Sequence, residues 1–209
     1  MALVLTIAQQ KGGAGKTMLA ANLAAFWAPT CRVALLDIDP QRSLSHWHRL
    51  RAGAKAAQGA VHLSEVAGWR MAAELDRLRE AHDIVIVDSP PQIETEARLA
   101  IRAADLVLVP VQPSLPDAWA AEGTLKLATA ERRPSLVVLN RAPAKSALRT
   151  QVETLLGKAG AAVMTATLGN RAGYATAFGR GLGVSESAPK SLAAAEIAAL
   201  AAELWPAPR

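Results

Sequence analysis

The sequence predicts an open α/β fold, a doubly wound and mostly parallel sheet flanked by helices, and three observations carry that expectation. Apolar residues fall in short continuous runs of strand length, the pattern of strands buried on both faces, rather than in the alternation of a half-exposed strand. These runs alternate with longer segments in which Leu, Ala and charged residues recur at helical spacing, so each strand is followed by a helix that carries the chain back for the next parallel strand. A glycine-rich turn lies between the first run and the first helical segment, at the strand end where open α/β sheets hold ligands. No internal repeat, low-complexity tract or linker interrupts the 209 residues, a length suited to one domain.

Residues 2–8 (ALVLTIA) form the first apolar run, and the glycine-rich residues 10–17 follow at once. Residues 18–28 then read as a helix halted near Pro29, because proline cannot continue a helix and restricts the residue before it. Residues 32–38, 83–87, 105–111 and 135–139 are the next strands, and residues 161–168 a further one. Between them residues 66–81, 94–104, 117–132 and 146–159 carry helical spacing. Residues 42–55, basic with two histidines and no acid, read as a solvated helix, with a partner-contact surface as the alternative. Residues 191–205 form an alanine-rich helix with Leu192, Ile197, Leu200 and Leu204. Its two Glu and lack of Lys or Arg suit docking on the sheet rather than an anionic membrane.

A hydrophobic fraction of 51% with 20% charged residues is enough to bury a core and excludes global disorder. The net charge of +5 leans toward polyanionic partners. A lone cysteine, Cys31, excludes a disulfide framework, a cysteine-rich zinc site and an iron–sulfur cluster held by four cysteines of this chain. No uncharged apolar run reaches membrane-spanning length and no basic region precedes the first apolar stretch, so a soluble cytoplasmic protein with no membrane association is expected.

Lys11-Gly12-Gly13-Ala14-Gly15-Lys16-Thr17 is the segment that carries chemistry. Three glycines let the backbone turn tightly and bring its N–H groups onto phosphate oxygens, assisted by the positive end of the following helix. Lys16 is placed to reach the β- and γ-phosphates and the Thr17 hydroxyl to bind Mg²⁺. The ordinary phosphate-loop pattern would put a glycine at Gln10, so the match is to a variant of it. Asp37 and Asp39, two apart at the end of a strand, lie on one side of it, where they could serve a metal ion or an attacking water, or cap a helix. Asp88 ends the run 84–87, the arrangement of a strand-end acid that holds a water of a Mg²⁺ shell.

The loop, with its extra lysine at the head, resembles the deviant Walker A loop of the ParA/MinD family of ATPases. Asp37-Ile38-Asp39-Pro40-Gln41 and Asp88-Ser89-Pro90-Pro91 resemble that family's Asp-x-Asp-Pro-Gln and Asp-x-Pro-Pro motifs. The likeness runs from Leu3 to about Glu186 and is densest in the first 115 residues. One departure is Met18, where the family often has a second threonine. The resemblance implies a P-loop ATPase that binds ATP and Mg²⁺ through Lys11, Gly12, Gly13, Ala14, Gly15, Lys16, Thr17 and Met18, with slow intrinsic turnover. It implies that Lys11 reaches across an ATP-dependent homodimer to the partner's phosphates, unless it is a solvated loop lysine. Asp39 would orient the hydrolytic water, and Asp37 would support the metal or the loop. Asp117, at the head of a helix, falls where the family has its dimer surface, or is a plain N-cap. Asn140 and Arg141, at the end of a strand, would meet adenine by a looser analogy, a turn-forming Asn being the alternative.

Between Lys126 and Lys190 stand ten Lys or Arg and three Asp or Glu. No helix-turn-helix or zinc module accompanies them, which fits contact with phosphate backbone and no base readout, or an ordinary solvated face. The resemblance assigns non-specific DNA contact to Arg171, with Arg180, Lys145, Arg149 and Lys158 as companions. The expected protein is therefore a short ParA-type ATPase that positions a plasmid, chromosome or protein assembly. It would be nucleoid-associated when ATP-bound, with a ParB-like or cargo-adaptor protein stimulating hydrolysis. Two alternatives stand beside it: a MinD-like membrane switch, and a dethiobiotin-synthetase-like or small-molecule kinase on the same scaffold.

Overall fold

The computed structural model describes residues 2–66, 70–91, 95–143 and 146–204. Seven strands form one sheet: β1 (Leu3–Ile7), β2 (Val33–Asp37), β3 (Val61–Glu65), β4 (Ile84–Asp88), β5 (Leu106–Val111), β6 (Ser135–Ala142) and β7 (Ala162–Gly169). They lie in the order β3-β2-β4-β1-β5-β6-β7, and every pairing is parallel. Helices α1 (Lys16–Trp27), α2 (Ser43–Ala52), α3 (Met71–Ala81), α4 (Thr95–Ala103), α5 (Leu115–Ala130) and α6 (Ala147–Lys158) connect successive strands. Helices α7 (Ala172–Phe178), α8 (Val184–Ser187) and α9 (Leu192–Leu204) follow the last one. This is the doubly wound parallel α/β architecture that the continuous apolar runs imply.

Burial explains those runs. Every residue of β2 and β4 is buried, because helices cover both faces of the sheet. On one face Leu5, Leu35, Ile84 and Val138 pack with α1, α2 and α9. On the other, Val107 and Val109 pack with α5, while Val4, Leu36 and Val85 pack against Met71 and Leu75 of α3. Helix α1 is small-residue-rich and almost wholly enclosed, so the phosphate-loop helix is seated as a rigid core element.

The differences from expectation fall at the sheet edges. Strand β3 was not anticipated, because Val-His-Leu-Ser-Glu buries only its first residue fully and lacks a continuous apolar run. The helix expected from residue 66 begins at Met71, with residues 67–69 outside the described set; so are Glu94 and Trp205, the first and last residues of two other expected helices. Helix α5 begins two residues early because Ser114 caps it, its side chain accepting the Asp117 N–H, and a proline sits in the first turn. The basic segment after Arg42 is indeed helical in part, but Arg51 is not solvated. Its guanidinium meets both Glu186 oxygens at 2.8 Å, and the same carboxylate accepts the Gln58 and Gly183 N–H groups. With side chains 5% and 1% exposed, this pair ties α2 to α8, and losing either partner of such a pair costs about 3–5 kcal/mol.

Helix α9 docks on the free edge of β7. Its Glu203 accepts the Ala166 N–H at 3.2 Å and its Glu196 the Gly169 N–H at 3.1 Å, so the two acids satisfy donors that an edge strand otherwise leaves open. The apolar side, including Ile197, Leu200 and Leu204, is buried. This is the docked helix expected from its composition.

Candidate functional site

Strand β1 lies between β4 and β5, and the loops leaving the carboxyl ends of these strands converge on the glycine-rich turn. Gly15 is the N-cap of α1 with φ of 97°, a left-handed conformation open to glycine at low cost. A β-carbon there would also lie 2.3 Å from Asn140 Nδ2. Asn140 donates from Nδ2 to the Ala14 carbonyl at 2.8 Å and accepts the Arg141 N–H on Oδ1 at 2.9 Å. The residue expected to meet a base thus clamps the loop to the end of β6. Gln112, just after β5, donates to the Gly13 carbonyl at 3.2 Å and holds the loop from another side.

Lys16 is buried, and among the described residues its ammonium makes one hydrogen bond, to the Gln9 carbonyl at 3.2 Å. Burial pulls its pKa down, and the charges of Asp88 and Asp39 offset part of that. Asp88 is fully buried at the end of β4, in register with Ile7 of β1 and Asp37 of β2. Among the described residues neither of its oxygens has a hydrogen-bond partner. Burial pushes its pKa up to about 7 against the pull of the Thr17 hydroxyl, which lies close without a well-formed hydrogen bond, and of Lys16. An unpaired buried carboxylate beside a buried ammonium is costly in an empty protein and marks a place built for something else. Asp88 and the Thr17 hydroxyl behind a glycine loop fit a divalent cation bound with phosphate.

The two acids at the end of β2 separate in role. Asp37 accepts three hydrogen bonds: Oδ1 takes the Asp39 N–H at 3.1 Å, and Oδ2 takes the Ser45 N–H and hydroxyl at 2.9 and 2.7 Å. Of the two tasks expected of it, metal or loop support, these bonds perform the second, tying the start of α2 to the strand. Asp39 accepts the Gln41 N–H on Oδ1 at 2.8 Å and keeps Oδ2 outside that turn. Its 9% exposure leaves it just within reach of solvent.

Lys11 is half-exposed at the loop surface and folds back onto its own chain. Its ammonium pairs with Asp117 Oδ2 at 2.5 Å, the lysine side chain 41% and the aspartate 3% exposed. Ser114, not Asp117, is the N-cap of α5, and its hydroxyl also donates to Asp117 Oδ2, while Asp117 Oδ1 is buried without a partner.

A cavity of about 420 Å³ opens beside the phosphate loop, lined by Gly15, Met18, Asn140, Arg141, Arg171 and Tyr174 among others. Its size is that of a small-ligand site. Arg171, expected to contact DNA, is half-exposed and paired with an acid. Its Nε and Nη2 meet Glu196 Oε1 at 2.9 and 2.6 Å, which raises its own pKa, and Glu196 Oε2 accepts the Tyr174 hydroxyl at 2.9 Å. Burial works against the charged Glu196, yet these bonds and the Gly169 N–H hold its pKa below the usual range. Arg149 pairs with Glu153 at 2.9 Å, and Lys158 lies nine residues further along α6, roughly 13 Å away. Arg180 is exposed beyond α7, and Lys145 lies outside the described residues. The sequence assigns no role to Gln112, Tyr174 or Glu196, because each acts through a long-range contact.

Residues 5–184 match the family model described as the CobQ/CobB/MinD/ParA nucleotide binding domain. The chain is similar to the maintenance of carboxysome distribution protein A of Halothiobacillus neapolitanus, with 32% identity over 201 residues covering 93% of this chain and 92% of that one. Its fold is similar to that of apo McdA from Cyanothece, with a TM-score of 0.81 and 20% identity over 98% of this chain and 100% of that chain. It is likewise similar in fold to the cell division protein MinD of Aquifex aeolicus, with a TM-score of 0.79 and 23% identity over 97% of each chain.

Proposed function

Because the chain belongs to the CobQ/CobB/MinD/ParA nucleotide-binding family, we propose that it is an ATP- and Mg²⁺-dependent ATPase that dimerises on ATP and positions a cargo. The observation that carries this reading is the buried pair behind the loop, Lys16 with a single hydrogen bond and Asp88 with none. The loop N–H groups and Lys16 receive the phosphates, and Lys16 offsets the charge that gathers on the γ-phosphoryl group as water attacks phosphorus and the bond to the β-phosphate oxygen breaks. Thr17 and Asp88 would hold Mg²⁺, which supplies charge neutralisation on the same phosphates. Asp39 orients the attacking water. Lys11 supports dimerisation: it stands at the loop surface on a single ion pair, from which a second copy's phosphates could draw it.

Replacing Asp88 by asparagine separates function from stability. It removes a carboxylate whose burial outweighs the pull of Thr17 and Lys16, so the nucleotide-free protein is expected to gain about 1–3 kcal/mol in urea unfolding while Mg²⁺-dependent hydrolysis is lost. A destabilised variant that still hydrolyses ATP with Mg²⁺ contradicts the assignment.

We place the dimer on DNA by phosphate contacts from the basic C-terminal third, with Arg180 and Lys158 as the exposed candidates and Lys145 and Arg149 as companions. The cargo is a plasmid, chromosome or protein assembly, served by an adaptor that stimulates hydrolysis. The similarity to a carboxysome-distribution protein supports an assembly. The test is retention on a random-sequence duplex. Binding is expected with ATP, to be absent with ADP, and to fall at least about tenfold between 50 and 200 mM salt. Equal retention with either nucleotide defeats the reading.

A further inference from the structure

The ninth helix touches the cavity beside the phosphate loop directly through Ile197, and through Glu196 it holds the residues that form one of its walls. Glu196 collects four donors: Arg171 Nε and Nη2, the Tyr174 hydroxyl and the Gly169 N–H. All four come from Gly169, Arg171 and Tyr174, residues between the end of β7 and α7 that line the cavity together with Asn140 and Arg141. The arginine lies over the backbone of Gly169, where a β-carbon would stand 3.0 Å from its Nε. The cavity begins at Gly15 and Met18, so phosphates seated in the loop put the remainder of a nucleotide, its sugar and base, against this wall.

We propose that Glu196 is a positioning residue that couples binding of a nucleotide's base end to the docking of α9 on the edge of β7. By holding Arg171 and Tyr174 at the cavity wall, Glu196 makes nucleotide and helix mutual ligands. Nucleotide binding tightens α9, and by the same coupling a loosened α9 weakens nucleotide binding. The inference rests on reading the cavity and loop as a nucleotide site. The structure contains its own control in Glu203, which accepts the Ala166 N–H from the same helix, seven residues on; Ala166 does not line the cavity, whereas the residues that Glu196 holds do.

The test is calorimetric titration of the full chain with ADP and Mg²⁺, which probes loop and base contacts without dimerisation. Glu196→Ala and Glu196→Gln should weaken ADP about tenfold or more, and Glu203→Ala by less than about twofold. Hydrogen exchange within α9 should slow on adding ADP to the wild type and stay unchanged in Glu196→Gln, a response that a merely structural role would not produce. Should Glu196→Ala fail to fold, Glu196→Gln still accepts from Gly169 and Tyr174 and carries the comparison. Glu196 variants that bind as Glu203→Ala does, or wild-type α9 exchange indifferent to ADP, overturn the coupling alone. A wild type that binds no ADP overturns the reading of the site as well.

Discussion

Lys16→Ala is expected to abolish nucleotide-dependent behaviour while leaving the fold intact. The ammonium is buried and holds only the Gln9 carbonyl, and burial already works against its charge, so its loss removes little that stabilises the empty protein. With phosphates in the loop the balance reverses. A dry, preoriented cation acts on developing charge far more strongly than one in water, and deleting one such donor commonly costs a hundredfold to a thousandfold in rate. ATP turnover should therefore drop at least about a hundredfold and ATP should no longer produce dimers, with a thermal transition close to that of the wild type. Turnover within a few fold of wild type would remove Lys16 from the mechanism.

Asp39→Ala should have the opposite signature: binding is retained and turnover is lost. The residue sits at the strand end with one oxygen committed to the Gln41 N–H and the other outside that turn, and its charge lies close enough to act on Lys16. Positioning a water or accepting its proton is worth about a hundredfold to ten-thousandfold, so the variant should accumulate as an ATP-bound dimer. Alanine also releases the turn that leads into α2. Asp39→Asn keeps the oxygen that accepts from Gln41 and removes only the charge; it should be equally slow. An Asp39→Asn protein that turns over normally would show the loss in alanine to be a turn defect.

How much was legible in the sequence depended on whether a residue acts locally. The loop from Lys11 to Thr17, the strand-end acids and the central strands carry their signal in adjacent residues, because a buried strand must be apolar throughout and a phosphate cradle needs glycines in series. The edge strand β3 does not, since one face of Val-His-Leu-Ser-Glu meets solvent. Helices α7 and α8 are too short for a period to show. The ion pair of Arg171 leaves no local signal because its partner is 25 residues away on another helix, and that of Arg51 leaves none because Glu186 is 135 residues away. A basic residue's role is set by which acid the fold brings to it, and spacing along the chain is blind to that.

The central claim is that two copies of the chain share their nucleotides, each lending Lys11 to the other, and sedimentation velocity of the slow-turnover background tests it most directly. Asp39→Ala should sediment as a dimer with ATP and as a monomer with ADP, and adding Lys11→Ala should return it to monomer with either nucleotide. A double variant that still dimerises with ATP as fully as Asp39→Ala alone would contradict the claim.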